Sequence, residues 1–106
     1  THHRFGEAAF AKMKSTASIV NAARGELIDQ DALLAALDSG QIAGAALDVL
    51  DSTAAAASVL NHPKIILTPH SAWLSEEART TLQASAVAQV IAALKGEKPY
   101  GLLNPA

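Results

Sequence analysis

The sequence predicts an α/β fold: part of a parallel β-sheet with flanking helices, followed by one long C-terminal helix. Segments with strand-like and helix-like patterns alternate along the chain, which indicates parallel strands joined by right-handed helical crossovers. Residues 42–50 are almost continuously apolar, as is typical of a strand covered on both faces of a parallel sheet. A length of 106 residues allows at most one domain, and three strands make a poor sheet alone. We therefore expect the chain to be the later part of a longer protein.

The first predicted elements are a short helix, a strand and a second helix. Residues 7–14 predict the short helix, with Phe10 and Met13 on one apolar edge. Residues 17–23 predict a strand centred on two β-branched side chains. Asp29 or Gln30 is then placed to open a helix that Gly40 ends as a left-handed cap. The apolar side of that helix consists of three leucines: Leu33, Leu34 and Leu37.

The remaining elements follow the same alternation. After the strand over 42–50, residues 54–60 predict a helical turn, and residues 65–68 predict a third strand that Pro69 stops. Ser75, followed by two glutamates, predicts the start of a helix of about 20 residues, roughly 30 Å long, that ends at Gly96. Its apolar residues recur every four positions, so we expect one side to be buried: Leu82, Ala86, Val90 and Leu94.

Composition excludes several classes of function. A net charge of −2 and a pI near 6.0 leave no broad basic face for nucleic acid or an anionic membrane. The absence of cysteine excludes disulfides, thiolate zinc sites and cysteine nucleophiles, and it suits a reducing cytoplasm. No run is apolar enough for a membrane span or a signal peptide. No pair of histidines or carboxylates has a spacing that requires a metal site, so we predict none.

Three polar residues stand at the carboxyl ends of the three predicted strands: Arg24, Asp48 and His70. The carboxyl ends of parallel strands share one edge of the sheet, and ligands bind at that edge in open α/β folds. The sequence therefore predicts that a guanidinium, a carboxylate and an imidazole meet at one rim.

Each of these residues has a functional and a structural interpretation. Arg24 can grip a substrate carboxylate and polarise the adjoining carbonyl, or it can pair with a neighbouring acid, Glu26 or Asp29. His70, held by the preceding proline, can exchange a proton with a hydroxyl–carbonyl pair, or simply bond a loop. Buried Asp48 needs a donor, which can be a ligand amide, a ribose hydroxyl or a helix N-terminus.

Three ordered motifs resemble the D-isomer-specific 2-hydroxyacid dehydrogenases. They are Val20-Asn21-Ala22-Ala23-Arg24-Gly25-Glu26-Leu27-Ile28-Asp29, then Gly40-Gln41-Ile42-Ala43-Gly44-Ala45-Ala46-Leu47-Asp48-Val49, then Thr68-Pro69-His70-Ser71-Ala72-Trp73. The Ala72-Trp73 pair, followed by Ser75-Glu76-Glu77-Ala78, resembles two branches most: the glycerate/hydroxypyruvate reductase-like enzymes and the C-terminal-binding-protein-like relatives.

The resemblance implies an NAD- or NADP-dependent oxidoreductase, with hydride passing between the nicotinamide and C2 of a small 2-keto or 2-hydroxy acid. It implies a partial Rossmann-type sheet: residues 1–75 as the second half of the dinucleotide-binding domain, and residues 76–106 as a helix and tail returning toward a substrate domain. The Gly-rich phosphate loop is not in this sequence. A cytoplasmic homodimer is the expected full-length form.

The same resemblance implies roles for individual residues. Arg24 matches the arginine that binds the substrate carboxylate, His70 the acid/base, and Asp48 the acid that orients the nicotinamide amide. The cofactor-binding set comprises these three residues with Ala22, Ala23 and Ala72.

One position departs from the family. Its members usually carry a glutamate that hydrogen-bonds the catalytic histidine, and Thr53 occupies that position here. A threonine hydroxyl cannot stabilise an imidazolium electrostatically, and Asp51 is the nearest substitute. This departure keeps an alternative open, in which the protein senses NAD(H) as a corepressor-like interaction protein with weak or no catalysis. The sequence leaves open which hydroxy acid is used, the choice between NAD and NADP, and the oligomeric state.

Overall fold

The structure, a computed structural model, describes residues 1–52 and 55–104. These residues divide into two units, Thr1–Ala72 and Trp73–Ala106. The first unit holds the sheet and the short helices, and the second holds the long helix. The predicted order of elements and the α/β fold class are confirmed.

The elements are shorter than the sequence patterns that predicted them. The helices are α1 (Glu7–Phe10), α2 (Gln30–Asp38), α3 (Ala56–Leu60) and α4 (Glu76–Leu94). The strands are β1 (Ser18–Asn21), β2 (Gly44–Leu47) and β3 (Ile65–Leu67), and a 3₁₀ turn spans Gly25–Leu27. The strands are shorter mainly because apolar residues continue beyond the ladder into the loops, as Ala22 and Ala23 do after β1 and Val49 and Leu50 do after β2.

The described strands form one parallel sheet in the order β1-β2-β3. Asn21 pairs with Leu47, and Leu47 pairs with Leu67, so the three strands end at the same level. The residues that follow each strand therefore emerge at one edge of the sheet, as predicted.

The core lies on one face of this sheet. Ile19 and Leu47 point into it, and the fully buried Leu33, Leu37 and Val59 of α2 and α3 cover them. On the other face, Val20 is 74% exposed and Ile66 is 69% exposed. The expectation that residues 42–50 are covered on both faces is therefore wrong for the described chain, in which β2 alternates between buried and half-buried residues.

The predicted ends of α2 and α4 are confirmed. Asp29 caps α2 by accepting from the amide of Ala32 at 3.1 Å, and Ser75 caps α4 by accepting from the amide of Ala78 at 3.0 Å. Gly40 follows α2 with φ +72°, a left-handed conformation that glycine adopts without cost. Gly96 follows α4 in the same conformation, with φ +75°.

The expectation of a buried side on α4 is wrong for the described chain. None of the helix residues is buried, and Leu82, Val87 and Val90 are each 59–60% exposed. The second unit consists of this helix and a tail, and a single helix cannot cover its own apolar side. Within residues 1–52 and 55–104, no helix has the length and hydropathy to cross a membrane.

Candidate functional site

The three polar residues at the strand ends line one groove of about 700 Å³. Its walls come from the loop after each strand: residues 24–26 after β1, residues 48–52 after β2, and residues 68–70 after β3. The structure thus brings Arg24, Asp48 and His70 together at the predicted rim.

Arg24 is exposed at the mouth of the groove in an extended backbone conformation, with φ −144°. Its Nη1 donates to the carbonyl of Ala23 at 2.8 Å, and within residues 1–52 and 55–104 it makes no ion pair with an acid. The alternative of a surface pair with Glu26 or Asp29 is therefore not seen.

Buried Asn21 fixes the backbone that carries Arg24. The Asn21 Nδ2 donates to the carbonyl of Arg24 at 2.9 Å, and its Oδ1 accepts from the amide of Ala23 at 3.1 Å. Sequence reasoning missed this residue, although a polar residue at the end of an apolar strand was a usable signal.

Gly25 allows the loop after β1 to lie directly against the loop after β2. A Cβ built at Gly25 would lie 2.1 Å from the backbone carbon of Leu50 and 2.4 Å from the amide nitrogen of Asp51. Any larger residue would push the two loops apart, and the groove between them depends on this approach.

Asp48 is 7% exposed, and the loop after β3 satisfies its carboxylate. Its Oδ1 accepts from the Thr68 hydroxyl at 2.5 Å and from the Ser71 amide at 2.9 Å, and its Oδ2 accepts from the Ala72 amide at 2.9 Å. The Thr68 hydrogen bond contributes most to lowering the pKa of Asp48; the two amides and the charge of His70 also lower it, and burial opposes them. The protein partner is thus a loop, not the helix N-terminus considered from sequence.

His70 is exposed at the tip of this loop, in an unusual backbone conformation. Its φ of +54° lies in the left-handed region, which non-glycine residues rarely adopt. The His70 amide donates to the carbonyl of Thr68 at 3.0 Å, which tightens the turn. The hydrogen bonds to Asp48 on either side hold His70 at the groove.

The other predicted cofactor residues lie beside the groove. Ala22 and Ala23 line a separate pocket of about 320 Å³ together with Phe5 and Ile28. Ala72 contributes its amide to Asp48.

Sequence analysis named two positions as candidate partners of His70, Thr53 and Asp51. Thr53 lies outside the described residues. Asp51 lines the groove, but its Oδ2 lies 3.8 Å from Nε2 of His3, whose Nδ1 in turn lies 3.8 Å from Asp29. The described ion-pair contact of Asp51 is therefore with a histidine that sequence analysis had not connected to it.

His2, His3 and Asp51 bring one potential metal-ligand atom each within 4.8 Å of one another. The rings of His2 and His3 stack with their centroids 3.8 Å apart. Sequence spacing gave no signal for this cluster, because Asp51 comes from the loop after β2.

Comparison with known proteins assigns the family. Residues 1–72 match the profile of the D-isomer specific 2-hydroxyacid dehydrogenase, NAD binding domain. The chain is 42% identical over 107 residues to glyoxylate/hydroxypyruvate reductase B of Klebsiella pneumoniae subsp. pneumoniae, covering 99% of this chain and 33% of that protein.

Solved structures that share the fold include two dehydrogenase-like reductases bound to a dinucleotide. D-lactate dehydrogenase with NAD⁺ from Lactobacillus jensenii is 32% identical, with a TM-score of 0.84, and the match covers 99% of this chain and 36% of that one. An acyclic imino acid reductase in complex with NADPH and D-Arg is 32% identical, with a TM-score of 0.88, over 98% and 33% of the two chains.

The chain spans about a third of the length of these relatives. The matched profile covers the whole of the first unit, including the strand-end groove. This chain therefore belongs to the D-isomer specific 2-hydroxyacid dehydrogenase family, within whose NAD-binding domain residues 1–72 lie.

Proposed function

We propose that this chain is part of a longer enzyme that uses NAD(P) to interconvert a small 2-keto acid and the corresponding 2-hydroxy acid. The observation that carries the proposal is the meeting of Arg24, Asp48 and His70 in one groove at the carboxyl edge of the sheet. In that enzyme, residues 1–75 would complete the dinucleotide-binding domain, and residues 76–106 would lead back toward a substrate domain.

The residues present fit the nicotinamide end of the cofactor. Oδ2 of Asp48 accepts one hydrogen bond from the described residues, and a carboxylate oxygen can accept two. An acceptor position on a buried carboxylate suits the amide N–H₂ of a nicotinamide. When bound, NAD(P)H supplies the hydride.

Arg24 and His70 divide the remaining work. The guanidinium of Arg24 would bind the substrate carboxylate through two parallel hydrogen bonds and polarise the neighbouring keto oxygen. The imidazolium of His70 would donate its proton to that oxygen as negative charge develops on it, and the neutral ring would accept the proton in the reverse direction. Both groups are exposed at the groove, where a small acid can reach them.

The favoured substrate class is a short 2-keto acid. The relative quoted above at 42% identity is named a glyoxylate/hydroxypyruvate reductase. Glyoxylate and hydroxypyruvate both carry a keto or aldehyde carbonyl beside a carboxylate, which is the pair of groups that Arg24 would grip. The relatives' names favour an enzyme over the corepressor-like alternative.

We further propose a cytoplasmic homodimer as the full-length form. The absence of cysteine is compatible with a reducing compartment. The exposed apolar residues of α4, which include Leu82 and Val90, offer surface for assembly.

The experiment measures NADH and NADPH oxidation by the purified full-length protein with glyoxylate and with hydroxypyruvate. We expect turnover with at least one combination of cofactor and keto acid. In Arg24→Ala we expect kcat/KM to fall on the order of 10³-fold, because a bidentate charge-assisted contact is removed. Arg79→Ala, which removes an arginine from α4, serves as the matched control. Absence of turnover in the wild type, or an unchanged rate in Arg24→Ala, would contradict the proposal.

A further inference from the structure

We propose that Thr68 is a positioning residue: its hydroxyl, through Asp48, holds the loop that presents His70. The inference deepens the proposed function, since it assigns a role in placing the acid/base of that reaction. Thr68 itself neither binds substrate nor transfers a proton in this proposal.

The sheet register places Thr68 and Asp48 next to each other. Leu47 pairs with Leu67, and Asp48 and Thr68 are the residues that directly follow that pair. The Thr68 amide donates to the carbonyl of Leu47 at 3.1 Å, so the backbone of Thr68 is bound to β2 independently of its side chain. The hydroxyl then reaches Oδ1 of Asp48.

Asp48 also binds the part of the loop that follows His70. The amides of Ser71 and Ala72 donate to its two oxygens, each at 2.9 Å. One buried carboxylate thus binds the loop before His70 through Thr68 and after His70 through two amides.

His70 needs such support because of its backbone. A left-handed conformation at a non-glycine residue costs free energy and persists only where its surroundings determine it. Removing the Thr68 hydroxyl would leave Oδ1 with one donor fewer and free the carboxylate to turn. We therefore expect the loop to sample other conformations and His70 to leave its position for part of the time.

The effect should fall on kcat. His70 acts only as charge develops in the reaction, whereas Arg24 provides binding of the substrate carboxylate. A misplaced acid/base can cost on the order of ten- to a hundredfold in rate, with the affinity for the keto acid nearly unchanged. A role confined to stability would lower the melting temperature and leave kcat at 25 °C intact.

The test compares Thr68→Val, which keeps the shape and removes the hydroxyl, with Thr68→Ser, which keeps the hydroxyl. In the full-length protein we expect Thr68→Val to lower kcat about tenfold or more, with KM for the keto acid within about twofold, and Thr68→Ser to retain most of the wild-type kcat. Thr80→Val is the matched control, because the Thr80 hydroxyl donates to the carbonyl of Glu76 within α4 and lies outside the strand-end groove.

A second measurement does not need turnover. Hydrogen exchange at the amides of Ser71 and Ala72 should accelerate about tenfold or more in Thr68→Val, and remain near wild type in Thr68→Ser and Thr80→Val. Unchanged hydrogen exchange in Thr68→Val would overturn the inference. A higher KM for the keto acid with kcat unchanged would also overturn it. If the wild type shows no hydride transfer, the proposed function fails and the exchange data alone decide the role of Thr68. If Thr68→Val does not fold, equal exchange in Asp48→Asn and wild type would overturn the inference.

Discussion

The side-chain amide of Gln30 donates to the backbone carbonyl of Asp51 at 3.0 Å and so ties the first residue of α2 to the loop that lines the groove. Gln30 is buried beneath that loop, at 4% exposure. The contact links two segments 21 positions apart, and the groove's shape therefore depends on a helix that contributes no residue to its chemistry.

Replacing Gln30 with leucine should destabilise the protein. The Asp51 carbonyl would lose its donor, at a cost of about 1–3 kcal/mol in the free energy of unfolding. Gln83→Leu, on the exposed surface of α4, should change that free energy by about 0.5 kcal/mol or less. Urea denaturation of both variants measures the difference, and equal midpoints would show that the Gln30 contact carries no stability.

Replacing Gly25 with alanine should be costly. The added Cβ would lie 2.3 Å from the carbonyl oxygen of Leu50, so the backbone of one loop must move. We expect a loss of about 1–3 kcal/mol in the free energy of unfolding, together with reduced turnover, because Arg24 precedes this residue. Gly6→Ala is the control, since its nearest contact would be an ordinary 3.7 Å. A Gly25→Ala protein as stable and active as Gly6→Ala would contradict the packing described.

The lowered pKa of Asp48 predicts a dependence of stability on pH. Because the folded pKa lies below the unfolded value of about 3.9, the ionised carboxylate stabilises the fold above that value. This contribution is lost as the pH falls below about 4 and through the folded pKa. As the pH is lowered from 6 to 3, the free energy of unfolding should decrease more steeply in the wild type than in Asp48→Asn. Glu97→Gln, which makes the same charge change in the tail, should keep the wild-type slope.

Restoring the family's glutamate at Thr53 separates a weakened enzyme from a sensor. The resemblance implies that a glutamate at this position hydrogen-bonds the catalytic histidine, and such a carboxylate favours the protonated imidazole. We expect Thr53→Glu to raise kcat for keto-acid reduction about tenfold and to move the high-pH limb of the rate profile upward. Thr53→Gln, which has the same shape without charge, should do neither. No change in Thr53→Glu would favour the corepressor-like sensor over a weakened enzyme.

The convergence of Arg24, Asp48 and His70 was predictable because parallel strands must end at one edge. Gln30 was also within reach of sequence reasoning. It stands three, four and seven residues before Leu33, Leu34 and Leu37, on the same buried side of α2.

Other features needed coordinates. Nothing in the spacing of His3 and Asp51 indicates that the two residues meet, since loop conformation decides it. Pattern likewise could not tell whether Asp48 faces a ligand or its own chain, because either donor satisfies a buried carboxylate. The strand ends were overestimated because apolar residues continue into the loops beyond the ladder.

The left-handed backbone at His70 also determines which replacement isolates the contribution of the ring. Alanine would remove the imidazole and at the same time let the main chain relax into a commoner region, so a slow His70→Ala enzyme would mix two causes. Asparagine tolerates the left-handed region far better and lacks the titrating group. Kinetic dissection of this position should therefore begin with His70→Asn, and the difference between the two variants then measures what the peptide geometry alone contributes.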